Sequence, residues 1–450
     1  MVRIRSAYTT SLSGVMGGVR GSSPQRRRRF LGWDTVVGGA GLQFLQSALF
    51  FQSFGVFVVV WADELGWTRS TIASGYALVT LLGGLLGPVQ GWLLERVGVR
   101  RVILAGVVLQ ALGLWVLSQI GTLGGFFGAL LLAGLGFAAS GYLSTTTAVV
   151  AWFMRRRSTA LSLMAIGISV AGLVVPLVAA AVVGFGWRET MRVAAALVLL
   201  LGAPLAVLMR RSPGAYGQVP DGGYVGFPDR RPGGVELRPH DPEADHTLRE
   251  TLRTRAFWLL GVGHGAALLV MSGVSVHLVP HLHDGAGYPL QLAASAVALV
   301  TISSAAGQLV GGPLGDRVDK RSIAVGAMLI HAFAIVVLAW GPGWSAVVVF
   351  AIVHGFAWGV RGPLMGSLRA DYFGASHFGS IMGASMLVFM LGQLAGPIFL
   401  GALADTLGDY RWGFTVLAGL AAIASLAFWF AHPPPRPLRP GSPSSRPSTE

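Results

Sequence analysis

Apolar residues along the 450-residue chain gather into long runs. A bilayer core takes about 20 apolar residues of helix. Twelve runs approach or exceed that length, over residues 36–60, 71–94, 102–120, 123–151, 159–183, 190–209, 256–280, 289–314, 322–340, 344–368, 378–403 and 412–431. Between the third and fourth runs lies only the tight turn Gly121-Thr122-Leu123-Gly124-Gly125. Three stretches break the pattern: an arginine-rich start (1–33), a central segment rich in Pro, Gly, Asp and Arg (210–255), and a Pro/Ser/Arg end (432–450). Tails of such composition are ordinarily disordered. The pattern predicts an all-α membrane protein with twelve transmembrane helices in two six-helix bundles, 34–209 and 256–431, joined by a central loop at 210–255.

Composition agrees with a chain whose main solvent is lipid, since 53% of residues are hydrophobic and 12% charged, against about 25% charged in soluble domains. The net charge of +14 would suggest nucleic acid in a soluble protein, but here the positive residues sit between the apolar runs. Twenty-eight of the Lys and Arg residues fall on one side of the predicted membrane, in the two tails, the central loop and the loops after spans 2, 4, 8 and 10, and four fall on the other. The positive-inside bias predicts a plasma (inner) membrane protein with tail 1–33, loop 210–255 and tail 432–450 cytoplasmic. Arg27-Arg28-Arg29-Phe30-Leu31 resembles a twin-arginine export signal, but the apolar run behind it is too long for one, and a flank anchoring the first span fits better. The absence of cysteine excludes disulfides, thiolate metal sites and thiol nucleophiles.

The two halves carry the same marks. Gly91-Trp92-Leu93-Leu94-Glu95-Arg96-Val97-Gly98-Val99-Arg100-Arg101 follows span 2, and Gly312-Pro313-Leu314-Gly315-Asp316-Arg317-Val318-Asp319-Lys320-Arg321 follows span 8, with the acids 221 residues apart. Trp152-Phe153 and Tyr372-Phe373 close spans 4 and 10 at an offset of 220, and Pro176 and Pro397 sit in spans 5 and 11 at 221. Parallel six-span repeats imply two bundles about an axis along the membrane normal, with a solute path between them.

Gly-x3-(Asp/Glu)-Arg-x-Gly-x-Arg-Arg between spans 2 and 3 resembles the signature of the major facilitator superfamily. Within it the chain is similar to bacterial relatives of the monocarboxylate transporters and oxalate/formate antiporters. The similarity runs through Phe54-Gly55-Val56-Phe57, Glu64-Leu65-Gly66-Trp67-Thr68-Arg69-Ser70, Trp152-Phe153-Met154-Arg155-Arg156-Arg157, Gly186-Trp187-Arg188, His277-Leu278-Val279-Pro280-His281 and Asp371-Tyr372-Phe373-Gly374. The resemblance implies alternating access, with Glu95, Arg96, Asp316 and Arg317 in charge contacts that gate the cytoplasmic end. It also exposes a departure. The animal monocarboxylate transporters carry an acid and an arginine in span 8, where this chain reads Ser303-Ser304-Ala305-Ala306-Gly307-Gln308, with Gln308 at about the arginine's place. The acid-glycine mark entering span 1 is reduced to Trp33-Asp34-Thr35.

Polar residues inside spans are costly and therefore informative. Arg361 lies within span 10, roughly eight residues from its cytoplasmic end, and no Asp or Glu lies deep in any span. Such an arginine suits an anionic substrate held in a bidentate pair; the alternative is an arginine that snorkels or bonds to backbone carbonyls near the cytoplasmic gate. Its approximate counterpart in span 4 is Gly141. His354, Trp358 and Arg361 follow at i, i+4 and i+7, on one helix face, where they line a cavity or pack a core. His277 and His281, one turn apart, are candidates for proton coupling or local hydrogen bonding. Spans 1 and 4 line the central cavity in the resembled fold, which makes Gln46 and Tyr142 candidate substrate contacts, although Ser and Thr nearby also join helices.

The leading reading is a secondary active transporter of a small organic anion such as a carboxylate, with a proton or a counter-transported anion as the coupling species. It is expected to be monomeric in its bilayer, to bind no nucleic acid, and to use no cofactor or metal. The alternatives are an exporter of hydrophobic or drug-like compounds and a transporter-like sensor. An enzyme is disfavoured: the chain has no His-Glu-x-x-His, no Gly-x-Ser-x-Gly and no phosphate-binding Gly-rich Lys-Ser/Thr loop.

Overall fold

Twelve rods of helix carry the apolar runs. In the computed structural model, which describes residues 29–222, 245–435 and 437, the N-terminal half comprises α1 (Gly32–Leu65), α2 (Arg69–Leu85 continued by Gly87–Val97), α3 (Val99–Leu117), α4 (Leu123–Trp152), α5 (Arg157–Phe185) and α6 (Trp187–Leu208). The C-terminal half comprises α7 (Arg255–Gly285), α8 (Leu290–Gly315), α9 (Lys320–Trp340), α10 (Gly343–Phe373), α11 (Phe378–Leu407) and α12 (Tyr410–Phe430). Among the described residues, eleven helices are long and apolar enough to cross a bilayer, and twelve when the two bent segments of α2 count as one span. The expectations for residues 1–28, including most of the twin-arginine stretch, for 223–244 of the central loop, and for residue 436 and those beyond 437 concern residues outside the described set.

Local chemistry sets where the rods break. α2 bends by 53° where Leu86-Gly87-Pro88 interrupts it, because proline removes a donor and its ring clashes with the preceding turn. α5 tightens to a 3-10 turn at Gly172–Val174 just ahead of Pro176. α1 widens to a π turn at Ser47–Phe51, and α4 is interrupted at Gly141, whose φ and ψ are −83° and −149°. α10 and α11 run unbroken for 31 and 30 residues through Pro363 and Pro397.

Glycine lets α8 and α10 meet backbone to backbone. A Cβ built on Gly359 would sit 2.0 Å from the Ser304 carbonyl oxygen, and one on Gly355 would sit 2.3 Å from that of Val300. From the other side, a Cβ on Gly307 would sit 2.3 Å from the Phe356 carbonyl and one on Gly311 2.6 Å from Val360 Cα. Each helix thus presents two glycines four residues apart, the small-residue spacing that brings membrane helices together where lipid gives no hydrophobic drive. This seam fixes the rotation of α10 about its own axis. Arg361 follows Gly359 by two residues, which places it about 200° round the helix and away from α8.

The halves close on each other at the end where the arginine-rich loops lie. A Cβ on Gly91 of α2 would sit 2.3 Å from the Gly379 carbonyl oxygen of α11, and one on Gly383 would sit 2.2 Å from that of Gly87. At the opposite end the ion pair Glu64–Arg188 and the Trp187 Nε1–Glu64 hydrogen bond (2.6 Å) stay within the N-terminal half. The Trp340 Nε1–Thr415 hydrogen bond (2.9 Å) stays within the C-terminal half.

The seam predicts a sharp contrast between two glycines of α10. Gly359→Ala forces backbone apart and is expected to cost about 1–3 kcal/mol, the range for overpacking, read as a lower melting temperature in detergent. Gly362→Ala, where a Cβ meets nothing within 4 Å, is expected to leave the melting temperature unchanged. Equal stability of the two variants would show that the seam does not hold α10.

Candidate functional site

The rotation of α10 turns Arg361 into the protein, where it is 0% exposed. Its guanidinium stands 5.0 Å from the ring centroid of Trp358, one turn earlier, in a cation–π contact. Nη1 lies 3.0 Å from His264 Nδ1 of α7. Nε and Nη2 have no hydrogen-bond partner in the protein. These two atoms form one edge of the guanidinium, with parallel N–H bonds spaced to meet the two oxygens of a carboxylate. Unmet buried donors on a cation are expensive, at several kcal/mol for an uncompensated charge.

A second guanidinium lies two turns on. Arg369, 1% exposed, donates from Nη1 to the Met365 carbonyl (3.0 Å) and from Nη2 to the Leu260 carbonyl (3.0 Å), and stands 4.8 Å from the Phe389 centroid. The same phenyl ring meets His264 at 4.3 Å. Tyr142 opens the second segment of α4 directly after the break at Gly141 and feels both guanidiniums electrostatically. A Cβ built on Gly366 would sit 3.9 Å from Tyr142 Oη and 3.3 Å from Thr146 Cγ2, so α4 of one half packs against α10 of the other at this level. The cluster therefore joins α4, α7, α10 and α11.

Of the candidates read from sequence, Arg361, Trp358 and Tyr142 come together. His354 does not join them through its own bonds. It is fully buried, with Nδ1 3.0 Å from His331 Nδ1 of α9, Nε2 3.1 Å from Met271 Sδ of α7, and its ring stacked on Phe350. The i, i+7 spacing to Arg361 holds along α10, but two turns separate them and the imidazole is spent inside the C-terminal half. Gln46 gives its amide to Ser140 (2.6 Å) within the N-terminal half. Gln308 accepts from Ser169 of α5 (3.3 Å), a bond between the halves. His277 contacts the Pro397 carbonyl (2.9 Å), and His281 packs on Phe414 at 5.0 Å, both inside the C-terminal half.

His264 and Arg369 were missed. Arg369 reads as a loop residue if span 10 ends at residue 368, whereas α10 continues to Phe373. His264 sits between glycines in Gly263-His264-Gly265. Its signal was available as an ionisable residue in mid-span with glycines either side to admit neighbours.

The paired loop motifs act through their acids. Glu95, closing α2, accepts from the Ser380 backbone N–H at the start of α11 (2.8 Å) and lies 3.6 Å from His377. Asp316, closing α8, accepts from the Ser158 (2.8 Å) and Thr159 (3.1 Å) N–H groups at the start of α5 and from the Thr159 hydroxyl (2.6 Å). Each carboxylate crosses to the opposite half and meets amides that a helix N-terminus leaves unpaired. Arg157 of α5 and Lys320 of α9 both pair with Asp371 of α10 at 2.6 Å, and Ser158 and Ser367 meet at 3.1 Å. The arginines of the motifs do not make these links. Arg96 lies over Trp92 of its own helix at 5.3 Å, and Arg317 is exposed.

Two six-helix halves in parallel repeat, sealed at one end around a polar cluster in apolar helices, define a polytopic membrane carrier. The chain belongs to the Major Facilitator Superfamily, whose sequence model matches residues 40–342 and 279–449. It is 29% identical over 416 residues to monocarboxylate transporter 13 of Rattus norvegicus, covering 89% of this chain and 90% of the relative. It is 26% identical over 390 residues to the MFS-type transporter YhjX of Escherichia coli K12, covering 83% and 87%. A crystal structure of the E. coli fucose:proton symporter FucP superposes with a TM-score of 0.68 at 13% identity, over 90% of this chain and 100% of the symporter; at that identity the likeness is one of fold. The family and these relatives are transporters of small solutes, not enzymes.

The acid-to-helix links predict a measurable gate. Since the chain has no cysteine, a single thiol placed at Ser162, 1% exposed beside Gly312 of the opposite half, reports opening of the sealed end. Asp316→Asn and Glu95→Gln are each expected to raise its maleimide labelling rate by about 5-fold, for about 1 kcal/mol per carboxylate at a helix N-terminus. Unchanged labelling in both would show that these carboxylates do not hold the end shut.

Proposed function

We propose that this protein is a secondary transporter of a small organic anion bearing a carboxylate, and that the unpartnered Nε/Nη2 edge of Arg361 grips that carboxylate. The observation that carries the reading is a wholly buried guanidinium with a donor edge unmet and no acid in its cluster. A carboxylate seated there satisfies both donors and the charge together. Trp358 offers an aromatic face, and Tyr142 a hydroxyl from the other half, so the bound anion touches both halves. The name of the rat relative, a monocarboxylate transporter, supports the same class. The span 8 acid and arginine of the animal transporters are replaced here by serines and Gln308, so the anion site has moved to α10.

We place the arginine-rich end in the cytoplasm of the inner membrane, on the positive-inside bias. The end sealed in this structure is then the cytoplasmic one. Arg361 lies beneath the seal, and the rocking of one half against the other uncovers it in turn. Glu95 and Asp316 release their helix N-termini as the seal opens. Energy comes from solute or ion gradients.

Thermal stability of the purified protein against acetate, pyruvate, benzoate and succinate, with benzamide as the uncharged control, tests the reading. At least one carboxylate is expected to raise the melting temperature and benzamide to leave it unchanged. Arg361→Gln is expected to lose about 2–5 kcal/mol of binding, the cost of truncating one partner of a buried charge pair. Arg361→Lys should fall close to it, because an ammonium keeps the charge but not the two-pronged edge. Full carboxylate binding in Arg361→Gln would remove Arg361 from the substrate site. Protection by neutral amphiphiles alone would favour export of hydrophobic compounds.

A further inference from the structure

The starts of α5 and α11 are repeat partners, and at each a second carboxylate stands beside the one that crosses between the halves. Asp221, in the segment that follows α6, accepts from the N–H groups of Met154 (3.1 Å), Arg155 (2.9 Å) and Arg156 (3.2 Å), in the loop leading into α5. Asp245, in the segment ahead of α7, accepts from those of Ala375 (3.0 Å) and Ser376 (2.9 Å), in the loop leading into α11. Met154 and Arg155 correspond to Ala375 and Ser376 at an offset of 221, the one that relates Glu95 to Asp316. The two acids are not repeat partners themselves. One follows the last helix of its half and the other precedes the first helix of its half, so unrelated stretches of chain fill the same place twice. The backbone is shaped for both. Asp221 holds φ at 63°, the one positive φ outside glycine among the described residues. Asp245, 6% exposed, lies against Gly374, where φ is 88° and a Cβ would overlap the carboxylate, so only glycine fits.

We infer, on the reading that Glu95 and Asp316 let go as the seal opens, that Asp221 and Asp245 are positioning residues of that gate. Each fixes the turn of amides that the gate carboxylate of the opposite half must find again, Asp221 for Asp316 and Asp245 for Glu95. The amides are divided accordingly. At α5 the loop amides go to Asp221, and the first-turn amides of Ser158 and Thr159 go to Asp316. At α11 the loop amides go to Asp245, and that of Ser380, the repeat partner of Thr159, goes to Glu95. One acid of each pair belongs to the half whose helix it caps and stays as the halves rock, while the other is withdrawn. A helix start leaves several N–H groups unpaired. With the loop held, the gate carboxylate returns to a formed site and need not order it. With the loop free, closing carries that ordering cost, and the sealed state is less populated. Charge acts in the opposite sense: a second carboxylate at one helix start repels the first and loosens the seal. Geometry and charge therefore predict different signs.

The test uses the full-length protein in proteoliposomes and the maleimide labelling rate of Ser162→Cys. Asp221→Ala and Asp245→Ala are each expected to raise that rate by about 2- to 5-fold, the scale of a lost helix cap. Neither should exceed Asp316→Asn or Glu95→Gln, because each acts through that acid. The matched pairs, Asp221→Ala with Asp316→Asn and Asp245→Ala with Glu95→Gln, are expected to label no faster than the gate variant alone. The crossed pairs, Asp221→Ala with Glu95→Gln and Asp245→Ala with Asp316→Asn, should multiply the two effects. A general loss of stability would multiply in every pair. Both loop amides at α11 reach one oxygen, Oδ2 of Asp245, so Asp245→Asn keeps the contacts without the charge and is expected to label as wild type. Asp221→Gly, which suits the positive φ, replaces Asp221→Ala should that variant fail to fold. Unchanged labelling in the alanine variants, equal gains in matched and crossed pairs, or labelling of Asp245→Asn as fast as Asp245→Ala would overturn the positioning role and leave the gate standing. No rise in Asp316→Asn and Glu95→Gln themselves would overturn the gate and the role with it.

Discussion

A guanidinium sealed from water with no carboxylate near it is the constraint on which the rest of this structure turns. A buried cation without a counter-charge is tolerable only if its surroundings are fixed well enough to spend every donor they can. The backbone seam between α8 and α10 provides that fixity. With Gly355 and Gly359 lodged against Val300 and Ser304, α10 cannot rotate to let Arg361 escape toward lipid. One donor is met by His264, the cationic plane by Trp358, and one edge is left over. Arg369 solves the same problem differently. Its two Nη atoms are bonded to backbone carbonyls and Nε alone is unmet, which makes it a brace between α7 and α10 and leaves Arg361 as the arginine of the pair with a whole two-donor edge unmet.

The pseudo-symmetry of the repeat and its breakage have different physical jobs. Glu95 and Asp316 are related by the repeat, and each reaches a helix start in the opposite half, so the sealed end is held by two like contacts that can let go together. The cluster around Arg361 obeys no such relation. Where α10 carries Arg361 in an unbroken helix, α4 breaks at Gly141 and presents Tyr142 instead. One half thus supplies the charge and the other a hydroxyl at the start of a helical segment set off by a break.

Much of this was legible in the sequence. Hydrophobic run length located the helices because lipid demands it, and the offset of the acid-arginine motifs gave the parallel repeat. Arg361 announced itself by its cost. Where the reading failed, the missing information was packing. The arginines of the loop motifs are conspicuous in the sequence, yet their acids make the contacts, since only acceptors can use a helix N-terminus. His354 shares a face with Arg361 but is claimed by His331 and Met271, partners from other helices that spacing cannot show. Arg369 and His264 were hidden for the same reason: the first by a helix that outruns its apolar stretch, the second because its partner lies 97 residues away.

The most direct measurement is a crystal structure with 4-bromobenzoate bound, using the anomalous signal of bromine to place the ring and the density to place the carboxylate. The account predicts a carboxylate within hydrogen-bond distance of both Nε and Nη2 of Arg361, with the bromophenyl ring beside Trp358. A bromine peak elsewhere in the protein, with the Nε/Nη2 edge still unpartnered, would contradict it.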